Sequence, residues 1–329
     1  MKAMVLMRFG GPEGFEAREV PDPVARAGEV VVRVAATSVN PVDVKIRRGG
    51  GPIAPELPGI LGMDVAGVVE AVGEGVSAFR VGDEVYGCAG GLRGIPGALA
   101  ERMAADVRLL ASKPAGLDFR QAAALPLVAI TAWEGLYDKA RVAEGEWVLV
   151  YGGTGGVGHV AVQLAKARGA RVVATASSEE KARMARDLGA DEVADYRRES
   201  PAEMVESRTG GEGFDVVFDS VGGDNLNRAI EAAGLGGRVV SIVARQSYDL
   251  GPAMSKDLSL HLVLMLVPMI HGRGREHHGE ILRGIGDLVA AGRLRPLLDP
   301  HRFALAEAAE AHRLLESGRA VGKVVVDIA

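Results

Sequence analysis

The segment Val148-Leu149-Val150-Tyr151-Gly152-Gly153-Thr154-Gly155-Gly156-Val157-Gly158 runs from a β-branched apolar stretch into glycines spaced Gly153-x-Gly155-x-x-Gly158. A helix from Gly156 to Arg168 is predicted to follow, because Val157, Val160, Ala161, Leu164 and Ala165 fall on one helical face. In that setting each glycine has its own task. One makes the tight turn, one lets the backbone approach a diphosphate, and one lets helix and strand pack closely. The helix start, with unpaired N–H groups and its dipole, favours the anion. Strand before and helix after turn a common spacing into a dinucleotide-binding reading, set against a glycine-rich turn with no ligand.

The end of the next strand decides which dinucleotide. A coenzyme with a free ribose 2′-hydroxyl needs a carboxylate there. Val172-Val173-Ala174-Thr175-Ala176-Ser177-Ser178 ends without one, and Lys181 lies just beyond. Two hydroxyls and a cation suit a 2′-phosphate, so NADPH is expected. Glu179 and Glu180 fit ordinary first-turn chemistry of a helix, and a solvated helix lysine is the plain alternative for Lys181. Two other nucleotide patterns are missing. None of Tyr86, Tyr137, Tyr151, Tyr196 or Tyr248 has a lysine four positions on, and Gly322-Lys323 is followed by Val324 and not by a hydroxyl residue.

These residues need a scaffold. The first third reads as strands, Met1–Leu6, Glu29–Ala36 and Val65–Val72, among dense turn signals such as Gly49-Gly50-Gly51-Pro52 and Gly73-Glu74-Gly75, which suggests a compact barrel-like unit. From about Gln121 strands and helices alternate: Trp147–Tyr151, Arg171–Thr175, Phe214–Phe218 and Arg238–Val243 are strands, with helices at Ser178–Leu188 and near Leu226–Ala233. Such alternation predicts a parallel sheet, giving an α/β fold. Two late helices, about His277–Ala291 and Phe303–Ser317, precede a last strand, Val321–Ile328, expected to return to the first unit.

Composition narrows the function. The 329 residues carry 45 glycines, 48% apolar residues and a formal charge of −5, which fits a globular chain with a full core and argues against a nucleic-acid or membrane-surface binder. The longest apolar stretches, Leu262–Ile270 and Ala122–Trp133, are too short to span a bilayer. No signal-peptide pattern opens the sequence, so a cytoplasmic protein is expected. The single cysteine, Cys88, excludes an internal disulfide framework and any cysteine-cluster metal site, and fits a reducing compartment.

Further fragments carry a resemblance. They include Asn40-Pro41-Val42-Asp43 with Arg47 and Gly49, Pro58-Gly59-Ile60-Leu61-Gly62-Met63-Asp64-Val65-Ala66-Gly67, and Gly82-Asp83-Glu84-Val85. Ala124-Leu125-Pro126, Thr131-Ala132-Trp133, Gly189-Ala190-Asp191 and Asp219-Ser220-Val221-Gly222 complete the series around the glycine turn. In order and spacing the chain resembles the zinc-independent quinone oxidoreductase branch of the medium-chain dehydrogenase/reductase superfamily. The resemblance implies a GroES-like β-barrel catalytic domain at 1–122 and 268–329, with a Rossmann NADPH-binding domain at 123–267. Substrate and nicotinamide are expected in the cleft between them.

It also implies roles for particular residues. Asn40 should line the nicotinamide and substrate site, and Thr131 should approach the coenzyme. Thr154, Gly155, Gly156 and Val157 should wrap the diphosphate; Ser177, Ser178, Lys181 and Tyr196 should form the adenosine-phosphate pocket; Val221 and Val243 should flank the coenzyme. Arg319 stands near a family cation for the 2′-phosphate. Zinc-containing relatives use a Cys, a His and a second Cys where this chain has Asn40, Met63 and about Leu127, so no zinc is expected. Several relatives place a tyrosine shortly after the Asn-x-x-Asp motif; here Lys45 is the candidate donor to the developing oxyanion, with an exposed lysine as the competing reading.

The activity implied is NADPH-dependent hydride transfer to a quinone or related electron-poor conjugated carbonyl. Hydride addition to such an acceptor spreads charge by conjugation, so hydrogen-bond donors can serve without a Lewis acid. Enoyl or enone reduction and a low-turnover NADPH-binding protein are the alternatives. A homodimer through an edge strand near 258–266 is implied by the relatives and by the apolar stretch Leu258–Ile270. His271, His277 and His278 are read as an exposed basic loop, His159 as a helix-surface residue, and Cys88 as a small buried one.

Overall fold

The computed structural model describes residues 1–328. The strands in chain order are β1 (Lys2–Leu6), β2 (Phe15–Glu19), β3 (Glu29–Val39), β4 (Gly59–Ile60), β5 (Asp64–Val72), β6 (Glu84–Cys88), β7 (Arg102–Asp106), β8 (Leu110–Ser112), β9 (Trp147–Tyr151), β10 (Arg171–Ala176), β11 (Glu192–Asp195), β12 (Phe214–Asp219), β13 (Ala233–Ser241), β14 (Ser259–Leu262), β15 (Phe303–Ala304) and β16 (Val324–Asp327). The helices are α1 (Pro41–Gly49), α2 (Phe119–Ala123), α3 (Pro126–Trp133), α4 (Gly158–Ala167), α5 (Glu179–Asp187), α6 (Pro201–Thr209), α7 (Asn225–Ala232), α8 (Gly251–Ser255), α9 (Val267–His271), α10 (Arg275–Ala290) and α11 (Ala308–Glu316). Two compact units divide them: Met1–Leu127, Leu266–Gly292 and Pro296–Ala329 form one, and Val128–Met265 with Arg293–Arg295 the other.

The first unit is built on β3. Its Val30, Val31, Val32 and Val34 are buried, the mark of a strand covered on both faces. Antiparallel neighbours β5, β7 and β16 all pair with it. The last strand, β16, sets Val324 opposite Val39, which carries Lys323 to the end of β3 where α1 begins. Pro41 opens α1, a position where a missing N–H costs nothing, and Asp43 accepts a hydrogen bond from the Asn40 backbone N–H at 2.9 Å. Tyr86 on β6 donates its hydroxyl to the Leu282 carbonyl at 2.5 Å, fastening α10 to the sheet.

The second unit is a parallel sheet in the order β11-β10-β9-β12-β13-β14. The chain moves outward from β9 through β10 to β11, then returns to the other side of β9 for β12. Open α/β sheets bind ligands at the carboxyl ends of strands where the order reverses in this way. Leu149, Val173, Phe214, Val217 and Val239 form the buried core between helices and sheet.

Several local expectations need correction. Helix α4 begins at Gly158, because residues 152–157 form the turn itself. The apolar stretch 258–270 is a strand only over Ser259–Leu262; Pro268 cannot donate to a ladder and opens the first turn of α9 instead. His277 and His278 belong to α10, and His278 is buried. His159 is buried too, with Nδ1 3.1 Å from the Gly155 carbonyl oxygen, so it packs under the glycine turn and does not face solvent. No helix among the described residues is long and apolar enough to cross a membrane.

Candidate functional site

The glycine turn lies at the carboxyl end of β9, and sterics explain its composition. Gly152 has φ +75°, a left-handed conformation that suits glycine. A Cβ on Gly158 would lie 2.0 Å from the Gly152 carbonyl oxygen, and one on Gly153 would lie 2.7 Å from the Ala174 Cβ. These two positions are closed to any side chain because helix, turn and strand touch there. Gly155 differs: it is exposed, and a Cβ would meet only the Gly152 oxygen, at 3.2 Å. The space beside it is open to a diphosphate, while its own N–H is spent on the Gly152 carbonyl at 2.8 Å. Thr175 on β10 braces the turn, its hydroxyl accepting from the Gly152 N–H at 3.0 Å and its carbonyl from the Gly153 N–H at 3.3 Å. Thr154 is buried, while Gly156 and Val157 are half-buried.

At the end of β10, Ser178 caps α5 by accepting from the Lys181 N–H at 3.2 Å. Ser177 and the Lys181 side chain are half-buried, and Tyr196 is exposed just after β11. No carboxylate follows Ala176 before the helix starts. The acids of the first turn are Glu179 and Glu180, and Glu179 pairs with Arg186 at 3.3 Å.

The loop after β12 carries Val221, which is exposed, and Val243 follows β13 half-buried. Asp219 organises this loop. Its Oδ1 accepts from the N–H groups of Val221 (3.0 Å) and Gly222 (2.9 Å) and from Asn225 Nδ2 (2.8 Å), and its Oδ2 accepts from the Ser241 hydroxyl at 3.1 Å. Ser220 donates to the Tyr151 carbonyl at 2.7 Å, tying the loop to the strand that leads into the glycine turn. Asp219 and Ser220 stand in a sequence motif whose spacing assigns them no task; the available signal is a buried-strand run, Phe214–Phe218, ending in a carboxylate.

The first unit holds a buried polar cluster around Asn40. Asn40 Nδ2 donates to Asp64 Oδ2 at 2.8 Å, and Asn40 Oδ1 accepts from Lys323 Nζ. Asp64 also accepts from the Ser38 hydroxyl at 2.5 Å and the Leu127 N–H at 2.8 Å, and its carboxylate lies 3.6 Å from Lys323 Nζ. An ammonium has only donors and a carboxylate only acceptors, so these partners fix which end of the carboxamide is which. Burial pulls the Lys323 ammonium below the ordinary lysine range, with the Asp64 charge opposing that shift. Burial likewise pushes Asp43 up to about 7, although the Asn40 N–H favours its ionised form. Asp43 Oδ1 is buried with no hydrogen-bond partner, as suits a group that keeps a proton.

Asn40 is therefore fully buried and committed to its neighbours. Asp64 and Lys323 escaped the sequence reading. The available signal was a charge inside an apolar run, Leu61-Gly62-Met63-Asp64-Val65-Ala66 and Lys323-Val324-Val325-Val326. Lys45 lies on the exposed face of α1, whereas Asp43, Val44, Ile46 and Arg47 face inward. Arg319 is exposed, its Nε donating to Ser317 Oγ at 3.2 Å, and Thr131 is buried in α3. Cys88 is buried and burial raises its thiol well above the usual range, which makes it a packing residue and no nucleophile.

Comparison with known proteins places this geometry. The family described as "Alcohol dehydrogenase GroES-like domain" matches residues 26–115, and that described as "Zinc-binding dehydrogenase" matches residues 188–326. Quinone oxidoreductase of Rattus norvegicus is 33% identical over 330 residues, 99% of this chain and 97% of that protein. The chloroplastic NADPH-dependent alkenal/one oxidoreductase of Arabidopsis thaliana is 35% identical over 99% of this chain and 79% of its own. Among solved structures, an alcohol dehydrogenase superfamily protein from Novosphingobium aromaticivorans superposes with a TM-score of 0.96 at 43% identity, covering both chains fully. Escherichia coli quinone oxidoreductase complexed with NADPH does so with a TM-score of 0.88 at 31% identity, again over both whole chains. A GroES-like unit, a parallel dinucleotide-binding sheet and full-length identity above 30% lead to one statement: the chain belongs to the quinone oxidoreductase branch of the medium-chain dehydrogenase/reductase superfamily.

Proposed function

We propose that this protein is an NADPH-dependent reductase that delivers hydride to quinones or related electron-poor conjugated carbonyls without a metal ion. The observation that carries the reading is the pairing of an open glycine turn with a β10 terminus that offers hydroxyls and Lys181 in place of a carboxylate. The rat relative is named a quinone oxidoreductase, and the E. coli neighbour was solved in complex with NADPH.

Thr154, Gly155, Gly156 and Val157 hold the diphosphate at the start of α4; Ser177, Ser178, Lys181 and Tyr196 hold the adenosine end; and Val221 and Val243 flank the coenzyme. When bound, the coenzyme supplies hydride from its nicotinamide C4. Thr131 belongs to the coenzyme site in this reading. The acceptor side falls to the first unit, where Asp64 and Lys323 fix the direction of the Asn40 carboxamide and leave only one Nδ2–H beyond the bond to Asp64. Lys45, on the outward face of α1, and Arg319, tied to Ser317, have less in their favour.

A zinc ion does not suit this donor set. The Asn40 oxygen faces an ammonium, Met63 is a buried thioether, and the one thiol, Cys88, is held protonated by burial. Among the described residues no group of three or more His, Cys, Asp or Glu side chains could hold a metal. The same reading includes a cytoplasmic homodimer joined edge to edge through β14. That strand closes one side of the sheet and is followed by exposed Leu264 and Val267.

The test is oxidation of NADPH and NADH against quinones, enones and enoyl thioesters, with products identified. Hydroquinone formation with NADPH preferred over NADH is the expected result. A saturated ketone formed from an enone, with quinones inert, would replace it with C=C reduction; the Arabidopsis relative is named an NADPH-dependent alkenal/one oxidoreductase. Tight NADPH binding with no turnover on any acceptor would leave a binding protein.

A further inference from the structure

Beside the serines at the end of β10 stands a cation to which sequence reading gave no role. Arg197 lies two residues past β11, and its Nη1 donates to the Ser177 carbonyl oxygen at 3.2 Å. The guanidinium also lies over the Tyr196 ring, 5.9 Å from its centroid. Parallel pairing puts these residues together: Ala176 on β10 is opposite Asp195 on β11, so the two strand ends finish side by side. The Arg197 N–H is satisfied by Asp195 Oδ1 at 3.0 Å, which fixes the backbone from which the side chain leaves.

What the guanidinium lacks is equally informative. Asp195 pairs instead with Arg198 at 3.7 Å, Glu199 with Arg208, and Glu179 with Arg186. Among the described residues Arg197 joins no ion pair. One of its five donors is spent on a backbone carbonyl, and that contact anchors the fork next to Ser177. A planar guanidinium held by a carbonyl and an aromatic ring, with its other edge unspent, has the geometry for bidentate contact with a phosphate.

We infer that Arg197 is a specificity-determining residue for the coenzyme, a second cation that acts with Lys181 on the ribose 2′-phosphate. This rests on the NADPH reading above. An exposed guanidinium of this kind discriminates only by the charge and oxygens it meets, so it should affect 2′-phosphorylated adenosines and leave others alone.

Calorimetric titration with 2′,5′-ADP and with 5′-AMP tests it without turnover. For Arg197→Ala the affinity for 2′,5′-ADP should fall about ten-fold, one charge-assisted contact, while 5′-AMP stays within about two-fold. Arg197→Lys should recover part of the loss, since the charge returns without the fork. The gap between wild type and Arg197→Ala should also narrow as KCl rises, because exposed charges are screened. Equal weakening of both nucleotides by Arg197→Ala, or no change in either, would overturn the assignment while Lys181 could still select NADPH. A wild-type chain that binds 2′,5′-ADP no better than 5′-AMP would overturn the NADPH reading and the assignment together.

Discussion

Replacing Lys181 by alanine is expected to raise the dissociation constant for NADPH about 10- to 100-fold and to leave NADH within about two-fold. The lower figure is one exposed contact to a phosphate, roughly 1.4 kcal/mol; the upper, roughly 2.8 kcal/mol, is the same contact partly shielded from water. Lys181 is half-buried, which puts it between those limits. The variant should fold normally. The α5 cap is made by the Lys181 backbone N–H and the Ser178 hydroxyl, and neither is touched by truncating the side chain. Fluorescence titration of both coenzymes reads the result directly. Equal loss for NADPH and NADH would mean that Lys181 supports the helix and takes no part in phosphate recognition.

The second large effect concerns stability and pH. Asp43 ionises near 7 in the folded chain because burial disfavours its charge, whereas an aspartate in the unfolded chain ionises near its ordinary value of about 3.9. A raised carboxyl value means that the folded state holds a proton the unfolded state has already lost. Stability from this group is therefore fully present below about pH 4 and declines as pH rises towards 7, by roughly 1.4 kcal/mol per unit. The accumulated cost above pH 7 is on the order of 4 kcal/mol. Asp43→Asn keeps the shape and an oxygen for the Asn40 N–H but removes the titration. The difference in unfolding free energy between Asp43→Asn and wild type should grow in the variant's favour from pH 4 to pH 7 and then level off. Urea unfolding at a series of pH values checks this; a difference that stays flat across the range would contradict a buried, protonated Asp43.

Much of the fold was legible because its signals are local. Val148–Tyr151 with the glycines behind it, and the apolar face of α4, each state their element within a dozen residues. The parallel sheet followed from alternation alone. Position 258–270 misled because an apolar run reads alike as strand or helix, and only Pro268 breaks it. His159 and His278 misled for a related reason. Polarity predicts exposure, yet an imidazole can pack beneath a turn or on a helix's inner face.

The site was less legible than the scaffold. Spacing located the glycine turn and the serines after β10, since those lie on consecutive βα units. It could not find the Asn40–Asp64–Lys323 cluster, whose members are up to 283 residues apart and meet only because β16 pairs with β3. Nor could it assign Arg197, whose neighbour Ser177 follows the adjoining strand β10. Long-range pairing supplies such contacts, and no local pattern encodes them.

The central question is whether hydride passes from a phosphorylated nicotinamide to a quinone with no metal to polarise the acceptor. The most direct measurement uses protein dialysed against a strong chelator and assayed for bound metal, turning over a quinone with NADPH deuterated at the transferred C4 position. Undiminished turnover, slowed by the deuterium in a primary isotope effect, is the predicted result. Turnover that vanishes with the metal and returns when zinc is added back would contradict it.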